Sequence, residues 1–206
     1  MPLIRHEPAV LADRPRASDD LAALSAGLSA LAPAERRAAA HALGAWAQSA
    51  PALLGALDKE TEQSVRSALL GALARVGSEE AVAGLADCLR SEDAWLRNAA
   101  IEELRAMPEQ VAGVIAHLLA DWDRDVRILA VGILDTLRHE RVEEWLLQLI
   151  DADADVNVCG AALDVLAEVA TARAEAPVAA LLERFADEPY IAFTGKLVLG
   201  RLAREL

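Results

Sequence analysis

The 206-residue chain is 54% hydrophobic but only 3% aromatic, and its 46 alanines and 33 leucines fill more than a third of it. Alanine and leucine are strong helix formers while strand formers are scarce, which argues against sandwiches, barrels and disorder. With 33 acids against 20 bases the net charge is −13, which repels phosphate backbones and argues against a nucleic-acid partner.

Residues 1–17 read as an N-terminal tail, with Pro2, Pro8 and Pro15, three arginines and the apolar pair Leu3-Ile4. The tail is either disordered, a cap over the first repeat or a short docking motif, and its apolar runs are too short for a signal peptide. Residues 18–206 read as one helical domain. Leu21, Leu24, Leu28 and Leu31 form a first amphipathic run, and Arg36-Arg37 opens a second. From there a unit recurs. Glu62-Gln63-Ser64-Val65-Arg66 is followed by Leu69 and Leu73; Asp93-Ala94-Trp95-Leu96-Arg97 by Ala100 and Leu104. Asp123-Arg124-Asp125-Val126-Arg127 is followed by Ala130 and Leu134, and Asp155-Val156-Asn157-Val158-Cys159 by Ala162 and Leu166. The anchors Val65, Leu96, Val126 and Val158 are spaced by 31, 30 and 32 residues, and their apolar followers fall on one helical face.

Between these copies lie further amphipathic runs: Val82, Leu85 and Leu89; Val111, Val114, Ile115, Leu118 and Leu119; Val142, Leu146, Leu149 and Ile150; Val178, Leu181, Leu182 and Phe185. Pro33, Pro51, Pro108, Pro177 and Pro189 sit near helix starts, where a missing N–H costs nothing. The prediction is an all-α protein: six helical hairpins, each too small to hold its own core, stacked into an α-α superhelix.

The pattern Asp-x-x-x-Val-Arg-x-x-Ala-x-x-x-Leu at this period resembles HEAT-like repeats of the short bacterial type also found in phycobiliprotein lyases. The resemblance implies a right-handed solenoid and a ladder of carboxylates and arginines joining successive repeats. The acids four before the arginine position are Glu62, Asp93, Asp123, Asp155 and Glu188; the arginines are Arg37, Arg66, Arg97 and Arg127. Cys159 interrupts the arginine series and marks a candidate weak junction. An acid at a helix start also caps free N–H groups.

Little else carries chemistry. Asp151, Asp153 and Asp155 alternate as in an EF-hand loop, but Val156 and Ala162 stand where that loop needs glycine and a bidentate acid. The four histidines are dispersed; His139 and Glu143 lie one turn apart with no third ligand nearby, so no metal is expected. Thr194-Gly195-Lys196 is a phosphate-loop fragment without its glycines, and Cys88 and Cys159 form no CxxC pair. No nucleophile–base grouping is present, so the chain reads as a non-enzyme without a cofactor. No run of about 18 uncharged apolar residues occurs, so no membrane span is expected and the cytoplasm is the default compartment.

The expected role is therefore a scaffold or adaptor that binds a protein. Trp145, Phe185 and Phe193 read as core residues, whereas Trp95 and Trp122 fall in turns among charges. They either fold back over their hairpins or present two indoles on one ridge as a protein-binding hot spot. The second helices are expected to line the inner surface of the solenoid, with Arg75, Asn98, Glu102, Arg105, Ile128, Asp135, His139, Asp164 and Glu168 at the positions opposite their packed face, mixed in charge and acidic toward the C-terminus. The arginine-over-lysine bias points to a GC-rich bacterial genome, and the Met-Pro-Leu-Ile-Arg start resembles accessory proteins of chemotaxis-type signalling. The lyase resemblance implies an alternative, a chaperone or lyase subunit for a linear tetrapyrrole (bilin).

Overall fold

A computed structural model describes residues 17–205, so the expected tail, apart from Ala17, lies outside the described residues. Among the described residues, thirteen α-helices follow one another in six hairpins. The first helices are α1 (Ala17–Gly27), α3 (Ala50–Leu57), α5 (Glu79–Asp87), α7 (Pro108–Val111) with α8 (Ile115–Leu119), α10 (Val142–Ala152) and α12 (Glu175–Arg184). The second helices are α2 (Pro33–Leu43), α4 (Gln63–Val76), α6 (Ala94–Arg105), α9 (Arg124–Leu134), α11 (Val156–Val169) and α13 (Pro189–Glu205). Each second helix packs on its own first helix and on the second helices before and after it, giving two layers. This is the α-α solenoid that the periodicity predicts.

The repeated pattern explains the packing. Val65, Val126 and Val158 are buried, as are Leu73, Leu104, Leu134 and Leu166, so that about two turns of one face are pressed between the layers. Ala100, Ala130 and Ala162, at one repeat position, are wholly buried; a methyl group there lets neighbouring second helices approach closely. Pro33 and Pro108 stand at first helical positions, and Gly77 closes α4 in the left-handed conformation at φ 58°.

One predicted run is broken. Val111 to Leu119 reads as a continuous helix, but α7 and α8 are separated by turns at Ala112–Val114, where the N–H groups of Gly113 and Val114 bond three residues back. Gly113 and the β-branched pair Val114-Ile115 are poor helix formers, and here packing does not override that preference.

Candidate protein-binding surface

Four of the loops between first and second helices share one rule. The residue in the arginine position donates to the carbonyl six residues earlier: Arg36 to Ala30 (3.0 Å), Arg97 to Ser91 (2.6 Å) and Arg127 to Asp121 (2.8 Å). Cys159 does the same with its thiol, 3.4 Å from the Asp153 carbonyl. The active arginine of the first repeat is thus Arg36, correcting the expected Arg37, whose guanidinium bonds Ser64 instead. The side chain six earlier accepts from the N–H two residues on, at Glu62 (from Glu60), Asp93 (Ser91), Asp123 (Asp121) and Asp155 (Asp153).

These minus-six residues, more than the expected minus-four acids, receive the arginine of the preceding repeat. Arg36 grips Glu60 through two bonds (2.7 and 3.0 Å) and Arg127 grips Asp153 the same way (2.6 and 3.2 Å). Arg90 pairs with Asp121. In the third repeat Ser91 offers no carboxylate, so Arg66 reaches past it to Asp93 at 2.7 Å. The minus-four acids Asp93, Asp123 and Asp155 chiefly cap, accepting from the N–H groups of Trp95, Asp125 and Asn157. The Arg36 bond holds the Glu60 carboxyl below its ordinary range against the opposing effect of burial, and Arg66 does the same for Asp93.

The missing arginine at Cys159 is replaced from the next hairpin. Arg184, at the end of α12, donates to the carbonyls of Ile150, Asp151 and Asp153 and lies 3.6 Å from the Cys159 sulfur. The junction is bridged from the other side. The alternating aspartates around it are accounted for by the Arg127 pair and the α11 cap, and among the described residues no group of three His, Cys, Asp or Glu could hold a metal. Burial pushes the Cys88 thiol up to about 11 and raises that of Cys159.

The two tryptophans part company. Trp95 lies inside α6, not in the turn, half-buried with the Arg66 guanidinium 4.9 Å from its ring centroid. Trp122 is 86% exposed on the loop before α9. The loop beneath it is clamped: Arg127 holds the Asp121 carbonyl, Arg90 holds the Asp121 carboxylate, and the other Asp121 oxygen takes the Asp123 N–H. Leu31, just before α2 and five residues before its arginine as Trp122 is, is exposed too.

The expected stripe divides into two groups. Some of its members link repeats. Arg75 lies 3.4 Å from His41 and beside Glu103, whose carboxyl burial raises while Arg75 partly offsets the rise. Arg105 bonds Glu102 (2.9 Å) and the Gly132 carbonyl (2.6 Å), and Asp164 accepts the Tyr190 hydroxyl at 2.6 Å. Ile128 is half-buried against the core. His139 is not on a second helix: it lies in the loop before α10, stacked 4.9 Å from Trp145, and its Nδ1 accepts the Arg141 N–H. Asn98, Asp135 and Glu168 are exposed, and among the described residues their side chains form no hydrogen bond or ion pair; Asp135 ends α9 rather than lying within it. Two core expectations hold, with Trp145 buried and Phe185 partly buried, but Phe193 is 70% exposed, on the side of α13 away from the buried Ile191, Val198 and Leu202.

Among the described residues no helix is long and apolar enough to cross a membrane. No curated protein sequence matches the chain. Solved structures similar to it include the CpcE–CpcF complex of phycocyanin lyase from Nostoc (18% identity, 97% of this chain and 99% of that one, TM-score 0.38). Human deoxyhypusine hydroxylase (17%, 90% and 85%, TM-score 0.48) and an archaeal HEAT-like repeats protein from Thermococcus onnurineus (17%, 88% and 86%, TM-score 0.47) are others. The sequence profile of HEAT repeats matches residues 21–105 and 111–193, and the chain belongs to that family.

Proposed function

We propose that this chain is a non-enzymatic scaffold that binds a protein partner through the loops preceding its second helices and the mixed-to-acidic inner surface that those helices line. The observation that carries this reading is Trp122, an indole held outward on a loop whose backbone is pinned by Arg127 and Asp121. Exposing a tryptophan is unfavourable unless something covers it, and a fixed aromatic loses little entropy on docking, which is the character of an interface hot spot. Trp95, covered by Arg66, contributes at the rim. Asn98, Asp135 and Glu168 supply a polar, net acidic surround, so the partner presents a basic or mixed-charge patch with an apolar socket. The setting we assign is a bacterial chemotaxis-type signalling assembly in the cytoplasm. This rests on the sequence resemblance alone, as does the alternative of bilin handling.

The test is capture of partners from a lysate of the source organism on the immobilised chain. Trp122→Ala reduces capture of the specific partner at least tenfold with unchanged far-UV helicity, and a charge-neutral Asp135→Asn, Glu168→Gln variant weakens it in a salt-dependent way. Capture unaltered by both variants removes this surface from the interface. A visible absorbance change on adding a bilin would replace the reading with the tetrapyrrole one.

A further inference from the structure

Helix α13 carries an uncovered apolar stripe. Tyr190, Phe193 and Leu197 follow one another at spacings of three and four and are all exposed, and Gly200 continues the line. The opposite side of the helix is occupied. Ile191, Val198 and Leu202 are buried, and Gly195 abuts Leu182 of α12. Tyr190 leans on Gly160 of α11 and bonds Asp164, which fixes the upper end of the stripe against the body of the protein. Beyond Tyr190 the stripe is open: Phe193 is 70% and Leu197 51% exposed.

We infer that this stripe is a two-fold interface in which α13 packs antiparallel against α13 of a second copy. Three observations favour a second copy over an unrelated partner. The stripe is complementary to itself: with Leu197 near the axis, the bulky Phe193 of one copy falls opposite Gly200 of the other. Gly200 is an open notch, since a methyl group added there would meet nothing within 4 Å. The notch accepts a phenyl ring as a knob enters a hole, and it lets the two backbones approach. The charges agree with the same arrangement. Asp187 and Glu188 precede α13 and Arg204 lies in its last turn, all exposed. Antiparallel pairing places each acidic start against the arginine of the opposite copy, twice over by symmetry, and adds the favourable meeting of opposite helix-dipole ends. Residues 187–204 are also locally balanced: two acids (Asp187, Glu188) against three bases (Lys196, Arg201, Arg204), where the chain as a whole carries −13. This is the part of a strongly acidic protein that a second copy approaches without repulsion.

A single pair of helices is a small interface, so monomer and dimer exchange in the micromolar range. The dimer places two Trp122 loops on one particle and turns a single-site scaffold into a bivalent one. The inference does not depend on the role assigned to Trp122.

Sedimentation velocity of the full 206-residue chain between about 2 and about 200 µM tests it. The mass rises from monomer to dimer and stops there. Phe193→Glu and, independently, Gly200→Leu, which fills the notch without touching the fold, each shift the midpoint at least tenfold upward. Arg204→Glu weakens the dimer, and combining it with Asp187→Arg and Glu188→Arg restores it, an outcome that only antiparallel pairing produces. Leu197→Cys oxidises to a disulfide-linked dimer, whereas Ala179→Cys on α12 does not. A chain that stays monomeric throughout overturns the proposal. So does growth beyond a dimer, or a dimer insensitive to Phe193→Glu and Gly200→Leu, since either places the contact elsewhere.

Discussion

Replacing Arg127 by alanine tests the ladder at its most enclosed rung. The Arg127 side chain is 14% exposed and that of Asp153 is 7% exposed; two charge-assisted bonds of 2.6 and 3.2 Å join them, and a third holds the Asp121 carbonyl. Truncation leaves the Asp153 carboxylate enclosed with only the Asp155 N–H. Breaking a buried ion pair from one side costs about 3–5 kcal/mol. Because water can re-enter beside Asp153 through the open groove lined by Ala116, Ala120 and Ala152, the low end, about 3 kcal/mol, is expected here. Arg124 is the control: it is 59% exposed and 3.7 Å from Asp155, so its removal costs about 0.5 kcal/mol or less. Urea unfolding followed by circular dichroism and by tryptophan fluorescence measures both. Since repeat arrays need not unfold in one step, the Arg127→Ala curve is expected to split, its early phase belonging to the fourth and fifth hairpins. Equal losses for the two variants, or a loss below about 1 kcal/mol for Arg127→Ala, would refute the account of the ladder.

Other outcomes follow from the same geometry. Glu60 titrates below its ordinary range in the fold, so its pair with Arg36 stabilises above the unfolded glutamate value and is lost as pH falls through the folded one. The stability gap between the native chain and Glu60→Gln should therefore be full at neutral pH and close in acid; a gap independent of pH excludes the pair as its source. Cys88, with its thiol pushed up to about 11, and the enclosed Cys159 should react slowly with a disulfide reagent at about pH 8 and rapidly once unfolded. Fast labelling of the native chain would contradict their burial. Gly77→Ala forces a side chain into the left-handed region at φ 58° and should lower stability by about 1 kcal/mol, whereas Gly132→Ala, in the last turn of α9 with open space around it, should not lower it at all.

The repeat period and most of the apolar faces were readable, because each hairpin repeats the same burial problem and solves it with similar residues. The division of labour among the acids was not. Glu60, Asp121 and Asp153 recur at the same period as Asp93, Asp123 and Asp155, so spacing alone cannot say which set caps its own helix and which reaches the preceding repeat. That depends on the distance between hairpins, which side-chain pattern does not encode. Arg36 and Arg37 are likewise adjacent in sequence but differ by about 100° around the helix, and only one points into the loop. Trp95 and Trp122 look alike in their charged surroundings; the first is covered because Arg66 of the preceding repeat finds Asp93 and lies across it. Phe193 reads as core because it falls beside an apolar run, but the buried side of α13 is that of Ile191 and Val198, and Phe193 lies on the other.

The interrupted outer helix of the fourth hairpin has a mechanical consequence. In a stack of units joined end to end, compliances add, and the softest joint dominates how the whole array bends. Two short helices of four and five residues cannot resist shear between their neighbours as a continuous three-turn helix does. The array then behaves as two stiff arms meeting at α7 and α8. A partner spanning both arms reads the angle between them, so its affinity carries the elastic energy of setting that angle.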